Sequence, residues 1–532
     1  MPAAPEIQPS APDSAFQVIA PWLLSTTSGV LYFLGFAGFD LWPLQLCSFV
    51  PILWVIRSEP SAKPFRMLRL GWVFGFFSQA GGYYWMVGFL ENFSGFPLPI
   101  SILIACLFWG AHGLQQAFFV LLTHDAQRRG HAIPVAAIVL WCGLEWITPM
   151  IFPSYLGNSL HLLPPMIQIA DLGGPILLSA LLILVNSAFF ELFWFFCHRG
   201  SAFSKKTAFA AAVAMALTYA YGIFRISDVT NQMAQAPTMN VGLIQTSLSM
   251  KEKRRSALEG HYRHLSDSLA LESTNELDLI VWPESSFNRM IPENINNFQS
   301  GVLSTIHRGI VLGPLRTPLL FGGIAMQRVE GERKLYNSAY LVDAAGDLQA
   351  VYHKQFLLAF GEYLPFGELF PILYEWSPNS GHFTPGQHFQ MMPLGEHRIT
   401  TLICYEDVLP NFTRRAVLHD RPHLLVNITN DSWFGDTTEP WIHLALAKFR
   451  AVEHHRSLVR ATNSGVSAVV DPIGRTLSHS QVNTREAVVA EVPLLEQATV
   501  YQSVGDWPGW LGFLCSFPLL LRKRRLWRSK TA

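Results

Sequence analysis

The sequence predicts a polytopic α-helical membrane domain joined to a mixed α/β domain, and three observations carry that expectation. Long apolar runs with almost no charge follow one another up to Arg225. From Met239 to Val492 the pattern changes to short apolar runs of strand length, separated by polar segments. Half of the 532 residues are hydrophobic and only 14% are charged, which is low for a soluble chain.

Residues 1–20 are rich in Pro, Ala and Ser and contain no Lys or Arg, so they make a poor signal peptide and read as a disordered tail. The region 21–225 then holds seven apolar spans: Pro21 to Phe39, Leu41 to Ile56, Leu70 to Leu90, Leu98 to Leu122, Ile133 to Ile151, Ile176 to Cys197 and Ala208 to Phe224. Most approach the roughly 20 residues that cross a bilayer as helix; the second and the last are short. Arg57, Lys63, Arg66 and Arg69 follow the second span, Arg128 and Arg129 the fourth, and Arg199, Lys205 and Lys206 the sixth. The alternate loops carry no Lys or Arg. Basic loops stay in the cytoplasm, so the N-terminus is expected inside and residues 226–503 outside. An eighth span, 504–521, precedes a basic tail, 522–532, that restores the same charge rule and puts the C-terminus inside. A nucleic-acid reading of that tail is the weaker one, since Lys+Arg and Asp+Glu balance at 38 each and no other basic run carries interleaved aromatics. Within the spans, Glu145, Glu191 and His112 read equally well as packing groups or as functional ones, and they are not assigned to the site.

In the α/β region the strand candidates are Asn240 to Gln245, Leu277 to Val281, Leu319 to Ala325, Ala339 to Val342, Ile399 to Ile403, Leu424 to Ile428 and Val466 to Val470. Lys251 to Leu271 and Glu439 to His454 are helical candidates. Three of the apolar runs end on chemistry-bearing residues. Trp282-Pro283-Glu284 brings a carboxylate, Val351-Tyr352-His353-Lys354 an amine, and Thr400-Thr401-Leu402-Ile403-Cys404 a thiol. Alone, Cys404 reads as a small core hydrophobe. Together the three suit acyl transfer: Glu284 as base for a thiol that is mostly protonated at neutral pH, Cys404 as nucleophile, and Lys354 at the oxyanion. The other five cysteines, Cys47, Cys106, Cys142, Cys197 and Cys515, lie in apolar segments. Cysteine spacing therefore builds neither a zinc site nor a redox pair, and no cofactor or metal is implied.

Trp282-Pro283-Glu284, Lys354 with Phe360-Gly361-Glu362, and Ile403-Cys404-Tyr405-Glu406 resemble the nitrilase, or carbon–nitrogen hydrolase, superfamily. Asn427 to Phe434, Arg450-Ala451-Val452-Glu453 and Arg460 to Gly465 extend the resemblance, which runs from roughly Met239 to Val492. Within the superfamily the chain is most similar to the membrane-bound apolipoprotein N-acyltransferases. The resemblance implies a four-layer α-β-β-α sandwich, where periodicity gives only mixed α/β. It also implies a bacterial inner membrane, with the catalytic domain on the periplasmic side. A phospholipid would donate an acyl chain to Cys404, and the α-amine of a diacylglyceryl-modified apolipoprotein would accept it.

Glu362, Tyr405 and Glu406 match family positions tied to activity, as supporting or substrate-positioning residues. Asn337, Asn430 and Trp433 are weaker candidates, and Arg450, Glu453 and Arg456 read as an ion-pair face. The stretch Tyr363 to Phe389 carries Phe366, Phe370, Tyr374, Trp376 and Phe383, either packed as the core of a long loop or exposed to a membrane interface. Two positions depart from the family: Ala359 stands where Pro is common, and Lys251 is followed by Glu252 rather than Trp. Two other functions compete: an amidase or nitrile hydrolase tethered to the membrane with water as acceptor, and a non-catalytic binding module. Retention of Glu284, Lys354 and Cys404 together argues against the second. Seven spans are more than a tether needs, which argues against the first.

Overall fold

The computed structural model describes residues 14–198, 204–249, 252, 257–292, 313–329, 331–359, 361–364, 367–376 and 381–521. The basic tail, Phe360, Phe366, the start of the first helical candidate after Met239 and the Trp376 side chain lie outside those residues.

Helices dominate up to Met233: α1 (Ser14–Leu34), α2 (Val50–Ser58), α3 (Pro64–Gly82), α4 (Met86–Ser94), α5 (Leu98–His112), α6 (Leu114–Arg128), α7 (Ile133–Ile147), α8 (Pro164–Ile167), α9 (Ala170–Cys197) and α10 (Lys205–Met233). Among the described residues three stretches are long and apolar enough to cross a membrane: Leu98–Arg128, which joins α5 to α6, then α9 and α10. Shorter apolar helices are Val18–Leu34, Ile133–Ile147 and Trp507–Leu521. Two glycines allow α3 to touch the α5–α6 junction. A Cβ on Gly75 would lie 2.3 Å from the Gly113 carbonyl oxygen, the small-residue contact by which helices approach closely.

Several boundaries differ from those expected. α1 begins at Ser14, inside the stretch read as disordered, because its apolar residues pack on the bundle through Trp22, Leu24 and Tyr32. The third apolar run is broken at Tyr83–Trp85, where Tyr83 Oη donates to the Phe152 carbonyl (3.0 Å). α10 runs nine residues beyond the expected exit at Phe224, since Arg225 is held by Asp171 on α9 (2.9 Å). Glu145 and His112 act as packing groups. Glu145 accepts from the Leu156 N–H (2.7 Å), and His112 Nε2 accepts from the Ile151 N–H (3.3 Å).

From Thr238 the chain forms two sheets. Among the described residues the first has seven strands in the order β13-β1-β2-β4-β5-β6, with β3 beside β4; the second has six, β12-β11-β10-β9-β8-β7. These are β1 (Thr238–Gln245), β2 (Leu279–Val281), β3 (Phe287–Pro292), β4 (Leu319–Val329), β5 (Glu332–Val342), β6 (Leu348–His353), β7 (Met392–Leu394), β8 (His397–Ile403), β9 (Leu424–Thr429), β10 (Ser457–Thr462), β11 (Ala468–Val470), β12 (Thr476–His479) and β13 (Glu486–Pro493). The two-residue period of a strand decides which side chains face which layer. Val241 and Leu243 of β1 meet Ile399 and Ile403 of β8, with Val426, Ile428 and Val459, in the core between the sheets. Ile244 faces the other way, onto Leu265 of α11 (Ala257–Glu272). The outer face of the second sheet is covered by α13 (Pro410–Asp420) and α14 (Glu439–His454), which follow the short α12 (Ile372–Trp376). The sandwich is thus α-β-β-α. The chain then closes with α15 (Val500–Val504) and α16 (Trp507–Leu521), the latter packed on α7.

β10 escaped the sequence reading because Arg460 interrupts its apolar signature; the guanidinium is buried and compensated by Asp431 (2.8 Å) and Asp407 (3.4 Å). The face expected at Arg450, Glu453 and Arg456 needs correction. Arg450 and Glu453 do pair, but both are buried, and Arg456 instead donates to the carbonyls of Pro422, His454, His455 and Gln497.

Candidate active site

Glu284, Lys354 and Cys404 stand just past the ends of β2, β6 and β8. β2 and β4 are parallel, and β6 is two antiparallel steps from β4, so the ends of β2 and β6 point the same way. Sites in such sheets lie beyond the carboxyl ends of the strands. Two turns carry local strain: Ser285 (φ +52°) and Cys404 (φ +53°) are both in the left-handed region that non-glycine residues avoid. Gly322 on β4 lets the first turn sit where it does, because a Cβ there would meet the Glu284 Cα at 2.7 Å.

Lys354 is 1% exposed, with Nζ 2.7 Å from Glu362 Oε2 and 3.7 Å from Glu284 Oε1. Asn337, on β5, donates through Nδ2 to Glu284 (2.6 Å) and to Glu362 (2.7 Å). The two carboxylates are therefore tied together by one amide and one ammonium. Glu362 also accepts from the Leu358 N–H (2.8 Å). Burial acts to lower the Lys354 pKa, but the Glu362 and Glu284 carboxylates act to raise it, and it lies above the ordinary lysine value. The pair of carboxylates thus favours the charged amine. Burial first, and then the Glu284 charge, push the Cys404 thiol well above its usual range, with Lys354 and the contact with Thr429 pulling the other way. The resting sulfur is a neutral thiol, and such a thiol can serve as a nucleophile only with a base beside it.

Glu406 is fully buried and holds the two arms of the site together. It accepts from the Ile403 N–H (2.8 Å), from the Gln355 and Phe356 N–H groups (2.7 and 3.1 Å) and from the Tyr352 hydroxyl (2.9 Å). One carboxylate thus ties the turn at Cys404 to the segment after Lys354. Burial pushes its pKa up to about 7, against the pull of those N–H groups and of Lys354. Glu406→Gln replaces one acceptor oxygen by a donor and leaves buried N–H groups facing it, at about 1–3 kcal/mol for each unpaired group. Turnover is expected to fall about tenfold or more with substrate KM little changed, since the loss is in alignment of nucleophile and cation. Wild-type turnover in a folded Glu406→Gln would show that this carboxylate does not position them.

Tyr405 points away from the triad. Its hydroxyl donates to the Ile151 carbonyl, and its ring packs edge-on against Phe152 (5.5 Å). It thereby links the nucleophile turn to the helical domain. The same junction forms a largely apolar cleft of about 450 Å³. Tyr83, Trp85 and Phe152 wall it from the helical side; Cys404, Leu358, Phe434 and Glu439 wall it from the sandwich. Beneath it lies a buried ionic network. His443 is bonded to Asp407 (2.8 Å) and approaches Asp431 (3.3 Å), and Arg460 pairs with both acids. Asp431, Glu439 and His443 present ligand atoms within 4.8 Å of one another. Arg460 already engages Asp431. Asp407 and Asp431 overcome burial and Arg460 to raise His443 to about 10, so two internal cations balance these acids.

The expected Glu284, Lys354 and Glu362 therefore share contacts at once; Cys404 joins them electrostatically, and Glu406 supports the set from behind. Asn337 does more than its rank among the sequence candidates suggests. An asparagine inside a strand that also carries Tyr336, Ala339 and Tyr340 is a signal of a buried hydrogen-bonding duty, and it lies one strand from Lys354. Asn427, which donates to the Cys404 carbonyl (2.9 Å), and Gly322 had no sequence signal of their own. Asn430 accepts from Asn463 (3.0 Å). In the aromatic loop, Tyr363 and Phe370 are exposed.

An α-β-β-α sandwich that gathers Glu284, Lys354 and Cys404 at its strand ends and packs on an apolar helical domain defines the carbon–nitrogen hydrolase class. Residues 240–500 match the Carbon-nitrogen hydrolase family, and residues 28–188 match the Apolipoprotein N-acyltransferase N-terminal domain. The apolipoprotein N-acyltransferase of Bdellovibrio bacteriovorus is 31% identical, with 90% of each chain covered. That of Azotobacter vinelandii is 30% identical over 94% of this chain and 95% of its own, and that of Geobacter metallireducens 29% over 92% of each. The chain belongs to the apolipoprotein N-acyltransferase family. Among solved structures, an amidase from Nesterenkonia sp. AN1 is similar at 21% identity, covering 50% of this chain and 95% of that one with a TM-score of 0.34.

Proposed function

We propose that this acyltransferase moves a fatty acyl chain from a phospholipid, through a thioester on Cys404, to the α-amine of a diacylglyceryl-modified apolipoprotein. The observation that carries the reading is the cleft at Cys404, whose walls come from both the helical domain and the sandwich. An apolar cleft against the sulfur suits an acyl chain and excludes water, which favours an amine acceptor over hydrolysis. Glu284 takes the thiol proton, Lys354 faces the oxyanion, and Glu362 with Asn337 fixes the lysine and the base relative to each other. Tyr405 and Glu406 position the nucleophile turn.

The helical domain is multi-pass in this reading. Outward-facing apolar side chains such as Leu107, Phe209, Leu217 and Phe224 give it a surface that suits lipid rather than water. The alternation of basic and uncharged loops supports cytoplasmic termini and a periplasmic catalytic domain in the bacterial inner membrane. Exposed Leu369, Phe370 and Ile372 fit an interfacial loop through which substrates enter.

One experiment tests acceptor and orientation together. A water-soluble, charged peptide bearing diacylglyceryl-cysteine is supplied to sealed right-side-out vesicles that carry the protein. It is expected to gain one amide-linked acyl chain, read by mass spectrometry. Release of free fatty acid with the peptide unchanged would mean that water is the acceptor. Acylation confined to inside-out vesicles would reverse the orientation.

A further inference from the structure

The thioester reading leaves one proton without an acceptor. At neutral pH the acceptor amine arrives largely as an ammonium, with an α-amino pKa of about 7.7–8. An ammonium and a thioester give an amide, a thiol and one free proton. Of the three N–H protons, one remains on the amide, one returns to the Cys404 sulfur by way of Glu284, and one must leave.

Glu439 is placed to receive it. This residue sits at the start of α14 and lines the cleft shared with Cys404. It is 6% exposed, and its Oε2 has no hydrogen-bond partner among the described residues. Its other oxygen stands 3.8 Å from His443 Nδ1, too far for a hydrogen bond. An unpaired carboxyl oxygen in a cleft walled by Trp85, Phe152, Phe434 and Ile442 is costly unless a ligand completes it. The network behind it reaches the nucleophile: Asp431, 3.3 Å from His443, accepts from Thr429 (3.2 Å), and Thr429 hydrogen-bonds the sulfur.

We propose that Glu439 binds the ammonium of the acceptor in the Cys404 cleft and takes the departing proton as nitrogen attacks the thioester. The step balances: binding of the ammonium drives the acid proton off Glu439, the C–N bond forms, the C–S bond breaks, Glu284 returns one amine proton to sulfur, and Glu439 takes the other, which restores the neutral acid of the empty cleft. This assignment rests on the thioester reading. The charged and titratable groups facing Glu439 are His443 on its own helix, Asp407 and Asp431 in the two neighbouring turns, Arg460 on β10 and Tyr83 from the helical domain. Burial first, and then the Asp431 charge, raise the carboxyl to about 8, so in the empty cleft it is a neutral acid compatible with an acyl chain. An incoming ammonium favours the ionised form. The charged amine can therefore be used at pH values below its own pKa.

The test separates the half-reactions of the full-length enzyme. Wild type and Glu439→Gln are first charged with a phosphatidylethanolamine donor alone, and the thioester is quantified. A diacylglyceryl-cysteine peptide is then added, and discharge is followed from about pH 6 to pH 9. Both proteins should form the thioester, which shows that the variant is folded. Discharge by Glu439→Gln should be about tenfold slower near pH 6.5 and converge on wild type near pH 9, where the amine arrives neutral. Superimposable discharge profiles overturn the role of Glu439 while leaving the thioester intact. A variant that loses thioester formation as severely as discharge overturns it too, since the residue would then be structural. Absence of a thioester in wild type defeats the underlying reading instead, and this role with it.

Discussion

Incubation with a phospholipid donor alone is expected to leave one hydroxylamine-labile acyl group on Cys404, together with free lyso-phospholipid. Cys404→Ala should show neither. The expectation follows from size and from charge. Donor and acceptor are both large and both lipid-bearing, and they must reach one sulfur in one cleft, which holds about 450 Å³ of empty space and opens to solvent. A covalent intermediate lets the donor leave before the acceptor enters. The thiol is held neutral by burial and by Glu284, so the proton moves to Glu284 as sulfur attacks, and no free thiolate accumulates beside two carboxylates. That proton then passes to the lyso-phospholipid alkoxide, which returns Glu284 to its basic form for the second half. Adding the acceptor should discharge the label. If lyso-phospholipid forms only with both substrates present and no acylated protein is trapped, the two-step reading fails.

Much of this arrangement was legible because local sequence and strand geometry agree. An apolar run ending on Glu, Lys or Cys places that side chain at the rim of a sheet, and the rim is where Glu284, Lys354 and Cys404 stand. The region of the sandwich was legible for the same reason, as was helix α14, whose observed span Glu439–His454 coincides with its apolar periodicity. What was not legible depends on contacts between distant segments. Glu406 was expected to support the site or position substrate, but not to hold Gln355 and Phe356, some fifty residues away in the chain. Tyr405 reaches Ile151 in another domain. β10 is masked by Arg460, whose charge makes sense only beside Asp407 and Asp431. Glu439 looked like the first acid of a helix, a common place for one. Its unpaired oxygen in the Cys404 cleft emerges only when Phe434, Trp85 and Phe152 surround it.

Lys354→Arg is expected to lose activity by about a hundredfold or more although the positive charge is kept, the usual cost of losing one preorganised oxyanion donor. The ammonium is a compact point charge set between two carboxylates, 2.7 Å from Glu362 and 3.7 Å from Glu284. A guanidinium is broad and planar, and it would pair bidentately with one carboxylate instead of spanning both and the oxyanion. The backbone cannot recoil to make room, because the Lys354 N–H donates to Asn337 (2.8 Å) and its carbonyl accepts from Gly386 (2.8 Å). Both half-reactions should suffer alike, since each passes through an oxyanion at the same carbon. Lys354→Met should be worse. It leaves Glu284 and Glu362 bridged only by Asn337, and like charges so held push one carboxyl toward its protonated form, which disables Glu284 as a base. Removing one partner of a buried ion pair also costs about 3–5 kcal/mol of stability. Thermal melts should therefore accompany single-turnover measurement of thioester formation in each variant. Near wild-type acylation by a folded Lys354→Arg would take this lysine out of the chemistry and leave it only a structural tie between Glu284 and Glu362.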